Sequence, residues 1–263
     1  MPSLHNLVDT PPRQARLHPL VRDEPVPAWS SARKVPCSTC HLRRSCLPAG
    51  LSERELERVD SRLVTSLRKV AHGETLFRVG NRFDALFQIW TGFFKTVIGS
   101  SQGREQVTGF QMTGDLMGFE AIDAGLHSVD AIALEDSQVC VIPYSNLEVL
   151  EREVPPLQRH FHRIMSREIV GDHDAMLRLG SMTAEERVAA FLLSLSDRLR
   201  ERGFSPSSIL LRMTREEIGS YLGLKLETIS RTFSKLQAGG LLFVCQRQIK
   251  ITDPAGLAHL LEA

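Results

Sequence analysis

No apolar run in these 263 residues approaches the ~20 needed to cross a bilayer, and the opening MPSLHNLVDTPPRQ has no hydrophobic segment of the secretory type. Spanning and secreted proteins are disfavoured, and a cytoplasmic location is the expectation. Net charge is lacking as well, since 32 basic and 31 acidic residues leave +1. The chain is no bulk polycation, so any contact with nucleic acid must come from a local basic face. No Ser/His/Asp set, paired carboxylates or glycine-rich phosphate loop stands out, which argues against an enzyme. Cysteine is scarce, and a total of five does not suit a disulfide framework. What remains is a soluble chain long enough for two ordinary domains, each with its own core.

The scarce cysteines are concentrated. Cys37, Cys40 and Cys46 fall in C-x2-C-x5-C spacing between Pro36 and Pro48. In a reducing compartment such spacing favours metal or redox roles over disulfides. Clustered thiolates suit zinc or an iron–sulfur cluster, because soft sulfur prefers those metals. Either site needs a fourth ligand, which this loop does not supply as cysteine. His41 lies inside the loop and is expected to face solvent, although it is a possible ligand.

Residues 1–36 are rich in Pro and Arg without hydrophobic period, and read as a flexible arm. Ser52-Glu-Arg-Glu55 is a capping box opening a short helix to about residue 63. From 67 to 143 short apolar or alternating runs are separated by glycines. The predicted strands are 74–78, 85–90, 93–98, 105–112, 128–134 and 138–142, which suggests a β-sandwich or barrel over 37–150. A long helix within 151–182 starts near Pro155-Pro156. Its stripe of Phe161, Met165, Ile169, Met176 and Leu179 approaches the alternation of a dimer seam. Asp172 shares that stripe. It either sets two carboxylates face to face in a parallel dimer, weakening it, or sits at the edge in water.

The segment 183–263 reads as helical with a small β element. Thr183-Ala-Glu-Glu186 and Thr214-Arg-Glu-Glu217 are further capping boxes. The second opens a helix that Gly223 ends, and another helix runs from Glu227 to about Ala238. This is the pattern of a helix-turn-helix. Leu226, Ile229, Phe233 and Leu236 are expected to face inward. Glu227, Ser230, Arg231 and Ser234 face out, with Lys225 and Lys235 at the flanks, and these types address base edges and phosphates. A hairpin over 241–252 follows as a wing, offering Arg247 and Lys250. Cys245 in that wing is expected to be structural.

The run Met213-Thr-Arg-Glu-Glu-Ile-Gly-Ser-Tyr-Leu-Gly-Leu-Lys-Leu-Glu-Thr-Ile-Ser-Arg231 strongly resembles the winged helix-turn-helix of the CRP/FNR superfamily of bacterial regulators. With Cys37, Cys40, Cys46 and Cys140 it is similar to the FNR (fumarate and nitrate reduction regulator) branch. The resemblance implies an α+β chain: a cyclic-nucleotide-binding-like β-barrel of jelly-roll type, a long dimerisation helix, then the winged domain. It implies a [4Fe–4S] cluster on those four cysteines that promotes dimerisation and DNA binding without oxygen. Oxygen converts that cluster to a [2Fe–2S] form and the dimer separates. It also implies an inverted-repeat TTGAT-like promoter site, contact with RNA polymerase, and an acidic residue, here Asp172, in the dimer helix. The alternative is the same fold with a structural zinc or thiol-redox site. Cyclic-nucleotide-binding relatives carry an Arg-Ser-Ala cassette, where this chain has His127-Ser128-Val129. Without the arginine, no cyclic nucleotide is expected. Ser45 beside Cys46 makes the loop more polar than is usual in the branch.

Overall fold

A computed structural model describes residues 36–99 and 105–262. The arm expected over 1–36 lies, apart from Pro36, outside the described residues. A 3-10 turn, Cys37–Thr39, opens the cysteine loop, and α1 follows at Glu53–Asp60. Eight strands come next: β1 Ser66–Val70, β2 Thr75–Phe77, β3 Ala85–Thr91, β4 Phe93–Gly99, β5 Glu105–Met112, β6 Leu116–Met117, β7 Asp130–Ala133 and β8 Ser137–Pro143. They form two four-stranded antiparallel sheets, in the orders β1-β8-β3-β6 and β2-β7-β4-β5. Between them lies an apolar interior that includes Phe87, Ile89, Phe94, Val139 and Val141. This is the expected β-barrel.

Pattern reading missed β1 and β6, since Ser-Leu-Arg-Lys-Val gives weak alternation and β6 is only Leu116–Met117. It also missed α2, Tyr144–Glu153, which ends only at Val154 before α3, Pro155–Ser181. A boundary at residue 150 therefore cuts through α2. Val154 leaves helical geometry (φ −132°, ψ 78°), because the proline after it excludes helical backbone there.

The C-terminal part holds α4 Ala184–Glu201, β9 Ser208–Leu210, α5 Arg215–Leu222, α6 Leu226–Ala238, β10 Leu242–Cys245, β11 Gln248–Ile251 and α7 Pro254–His259. In both capping boxes the threonine hydroxyl accepts from the N3 amide and the glutamate accepts from the threonine N–H. Gly223 closes α5 in the left-handed region (φ 63°), which lets the chain turn sharply into α6. The β10–β11 hairpin takes β9 as a third strand. This half is packed onto the barrel: Phe93, Val97, Val107 and Phe110 of β4 and β5 share one apolar cluster with Phe191, Ile218 and Leu222.

Two expectations about facing are corrected. Phe161, placed on the dimer stripe, is buried against α1 and α2 in the chain's own core, with Met165 packed beside it. Leu226, placed inward, is 46% exposed, because it is the first residue of α6 and precedes the turn at which that helix meets the core.

Candidate functional site

The cysteine loop is held from three sides. Its first amide after Cys37, that of Ser38, donates to Asp60 Oδ1 at the end of α1 (2.8 Å). Arg43 Nη1 donates back to the Ser38 carbonyl (3.1 Å), and Arg43 pairs with Glu53 (3.1 Å). Just after Cys46, the Leu47 N–H donates to Gln88 Oε1 of β3 (3.1 Å). Cys140 faces this loop from β8, opposite Gln88 in the sheet register. The outcome is one small apolar pocket lined by Cys37, Cys40, Cys46 and Cys140, with Leu47, Leu63, Gln88, Trp90 and Ile142 among its walls. Cys37 and Cys46 are buried, while Cys40 and Cys140 are half-buried.

Burial, then the neighbouring Asp60 and Cys40, push the Cys37 thiol up to about 12. Burial, then Cys37 and Cys40, push Cys140 to about 12 as well. Burial raises Cys46 still further, with Cys37, Cys40 and Cys140 adding to it. Bringing thiolates together in an apolar wall is unfavourable unless a cation takes up the charge, so the donor set fits a metal centre bound through thiolate. Among the described residues no three Cys, His, Asp or Glu side chains close on a single ion. The sulfurs share a pocket rather than a point. His41 is exposed and tilted against Trp90 (ring centroids 5.8 Å), outside the lining. Cys245, expected to be structural, is exposed at the end of β10.

The region matching the cyclic-nucleotide cassette is filled by its own side chains. His127, 4% exposed, hydrogen-bonds Glu120 through Nδ1 (2.8 Å) and stacks on Phe77 at 3.9 Å.

At the other end of the molecule α6 buries Ile229, Phe233 and Leu236 and exposes Glu227, Arg231 and Ser234, with Ser230 half-buried and exposed Lys225 at its N-cap. The Ser234 hydroxyl donates to the Ser230 carbonyl (3.1 Å), and Lys235 pairs with Glu185. Exposed Leu226 joins this surface as an apolar group beside Glu227, a position the 3,4 periodicity had assigned to the core. Arg247 and Lys250 are exposed on the wing. Along α3, Ile169, Val170, Met176, Leu177 and Leu179 are all exposed. Val170 and Leu177 widen the stripe beyond the expected residues. Asp172 lines a polar cleft between α3, α4 and β5 together with Glu168, Asp115 and Arg198. Asp172 and Glu168 line the same wall, so Asp172 lies on the cleft side of the stripe.

Residues 186–260 match the Crp-like helix-turn-helix domain and residues 67–153 the cyclic nucleotide-binding domain. The chain is 42% identical over 226 residues to the fumarate and nitrate reduction regulatory protein of Escherichia coli strain K12, covering 86% of this chain and 90% of that one. It is 41% identical over 225 residues to the transcriptional regulatory protein btr of Bordetella pertussis, covering 86% and 93%. Among solved structures, that of FixK2 from Bradyrhizobium japonicum superposes with a TM-score of 0.68 at 32% identity, covering 74% of this chain and 96% of that one.

Proposed function

This chain belongs to the FNR branch of the CRP/FNR superfamily of transcription regulators, with a DNA-binding helix-turn-helix, and from that we propose that it is an oxygen-responsive regulator. It is a regulator rather than an enzyme. Cys37, Cys40, Cys46 and Cys140 hold a [4Fe–4S] cluster, and the observation carrying this reading is their convergence on one apolar pocket. When bound, the cluster supplies reactivity toward oxygen. The protein's part is to present four thiolates from one loop and one strand. It also limits solvent at Cys37 and Cys46 and couples loop order to the rest of the chain. A zinc or thiol-redox role for the same cysteines is the competing reading.

The loaded form pairs through the exposed stripe of α3, Ile169, Met176 and Leu179, with Met165 at its inner end. The C-terminal unit, about 183–263, then presents α6 of each protomer to an inverted-repeat TTGAT-like site. Arg231 donates to guanine, Glu227 accepts from cytosine, Ser230 and Lys225 reach bases or phosphates, and Leu226 offers methyl groups to thymine. Bound at the promoter, the dimer contacts RNA polymerase. No described helix is long and apolar enough to cross a membrane, and the cytoplasm is the proposed place of action. The His127–Glu120–Phe77 packing supports a barrel that binds no cyclic nucleotide.

Protein purified without oxygen is expected to be brown, with iron and sulfide near about four each per chain. Colourless protein rich in zinc overturns the oxygen-sensing reading.

A further inference from the structure

Gln88 is out of place by composition. It is a polar side chain in the buried run Ala85–Ile89 of β3, 4% exposed. A primary amide buried there must be bonded at both ends. Its Oε1 accepts from the Leu47 N–H next to Cys46 (3.1 Å), and its Nε2 donates to the Asp115 carbonyl (2.9 Å). Only this orientation satisfies both partners, because one is a donor and the other an acceptor. Gln88 also faces Cys140 in register and lines the cysteine pocket.

Asp115 extends the chain of contacts. Its Oδ2 accepts from the Met112 N–H (2.7 Å) and from Arg198 Nη2 (2.5 Å), and its Oδ1 accepts from Arg202 Nη2. Arg198 Nη1 also donates to the Phe110 carbonyl (2.9 Å) and Arg202 Nε to that of Thr113 (2.6 Å). Both arginines stand at the end of α4, in the DNA-binding half. Gly114 (φ 93°) lies at the junction: a Cβ there would sit 3.4 Å from both Ser45 Oγ and Arg202 Nε. Gly114 therefore leaves no more than a methyl group's room between the cysteine loop and the end of α4.

We propose that Gln88 is a positioning residue that transmits the state of the cysteine loop to α4 within a single chain, through the Asp115 clamp on Arg198 and Arg202. This rests on reading the cysteine loop as the input of the regulator. A buried amide bonded at both ends loses a partner if either end moves alone, so Leu47 and Asp115 shift together. The route is independent of pairing along α3.

The test is hydrogen exchange on the full chain with Gln88→Met, which keeps length and burial and removes both bonds. In cluster-free protein, exchange over residues 198–204 is expected to rise about fivefold, the scale of one hydrogen bond, with β4 and β7 unchanged. Unchanged exchange at 198–204, or an equal rise throughout the barrel, overturns the proposal. In protein loaded anaerobically with iron and sulfide, wild type should differ from its cluster-free form at 198–204. Gln88→Met at equal iron content should show no such difference, and a retained difference overturns the link. A wild type that takes up no iron refutes the oxygen-sensor reading and leaves the first comparison to decide the link. Should Gln88→Met fail to fold, Gln88→Leu takes its place. Raised exchange at 198–204 supports the proposal, and wild-type exchange there overturns it.

Discussion

Cys140 shows how a single residue acquires meaning from its surroundings. On β8 it is one half-buried thiol in an apolar strand, and such cysteines are ordinary core residues. Its placement opposite the loop makes it the fourth wall of the pocket. Cys140→Ala is expected to abolish the visible absorbance of anaerobic protein while the far-ultraviolet circular dichroism persists. Normal absorbance would remove Cys140 from the ligand set. Arg231, by contrast, needs no fold to be suspected, since its exposed position on α6 follows from helical period alone. Arg231→Ala should cost about 1–3 kcal/mol on the specific site, measured by fluorescence anisotropy at fixed salt. An equal loss on random DNA would make it a phosphate contact. Leu226 marks where period fails: the first residue of a helix lies before the helix has met its packing partner.

Among the elements, α5 is held to the barrel by polar contacts that a strand-by-strand reading does not anticipate. Lys95 on β4 pairs with Glu217 at 2.7 Å, both side chains less than a fifth exposed, and the Ser220 hydroxyl accepts from the Val107 N–H (2.9 Å). Burial by itself raises the Glu217 carboxyl. Hydrogen bonds from Lys95 and from the Thr214 N–H, with the Lys95 charge, outweigh that and leave it below the ordinary range. A carboxyl lowered in the folded state contributes stability above its unfolded value, and that stability is lost as pH falls through the folded one. Acid should therefore loosen α5 from β4. Lys95→Met is expected to cost about 2 kcal/mol at neutral pH, by urea unfolding. The loss should shrink on acidification through the carboxylate range, and a pH-independent difference would show that the pair is not its source. The N-terminal part of α3 has a similar lesson. Phe161 is committed to the chain's own core, so the proposed seam has its exposed residues from Ile169 onward, with half-buried Met165 at its inner end.

For the whole molecule, the stripe on α3 and the cleft beside it pull in opposite directions. Five large apolar side chains stand exposed between Ile169 and Leu179, enough to favour association. Asp172 lies on the cleft flank of that stripe near Glu168, so the proposed pairing would bring carboxylates close to an apolar surface. An association balanced in this way responds to a small input. Asp172→Ala should shift the monomer–dimer balance toward dimer in air, by roughly 1 kcal/mol or more of association free energy, read by analytical ultracentrifugation. An unchanged balance places Asp172 off the seam. The DNA-binding half also shares a continuous apolar cluster with β4 and β5, which ties its orientation to the barrel.

Much of this was legible in the chain itself. Strand 105–112 coincides with β5, and the three capping boxes mark helices that form, because such signals depend on neighbours a few residues away. The helix-turn-helix face and the C-x2-C-x5-C loop are local in the same sense. Only the tertiary structure gave Gln88 and Asp115 their long-range partners, 27 to 87 residues away, and set Cys140 opposite Gln88 across a sheet register. It also decided that Phe161 is core and Leu226 surface. Helical period fixes which residues share a face, but what that face meets is set by the packing of the whole chain.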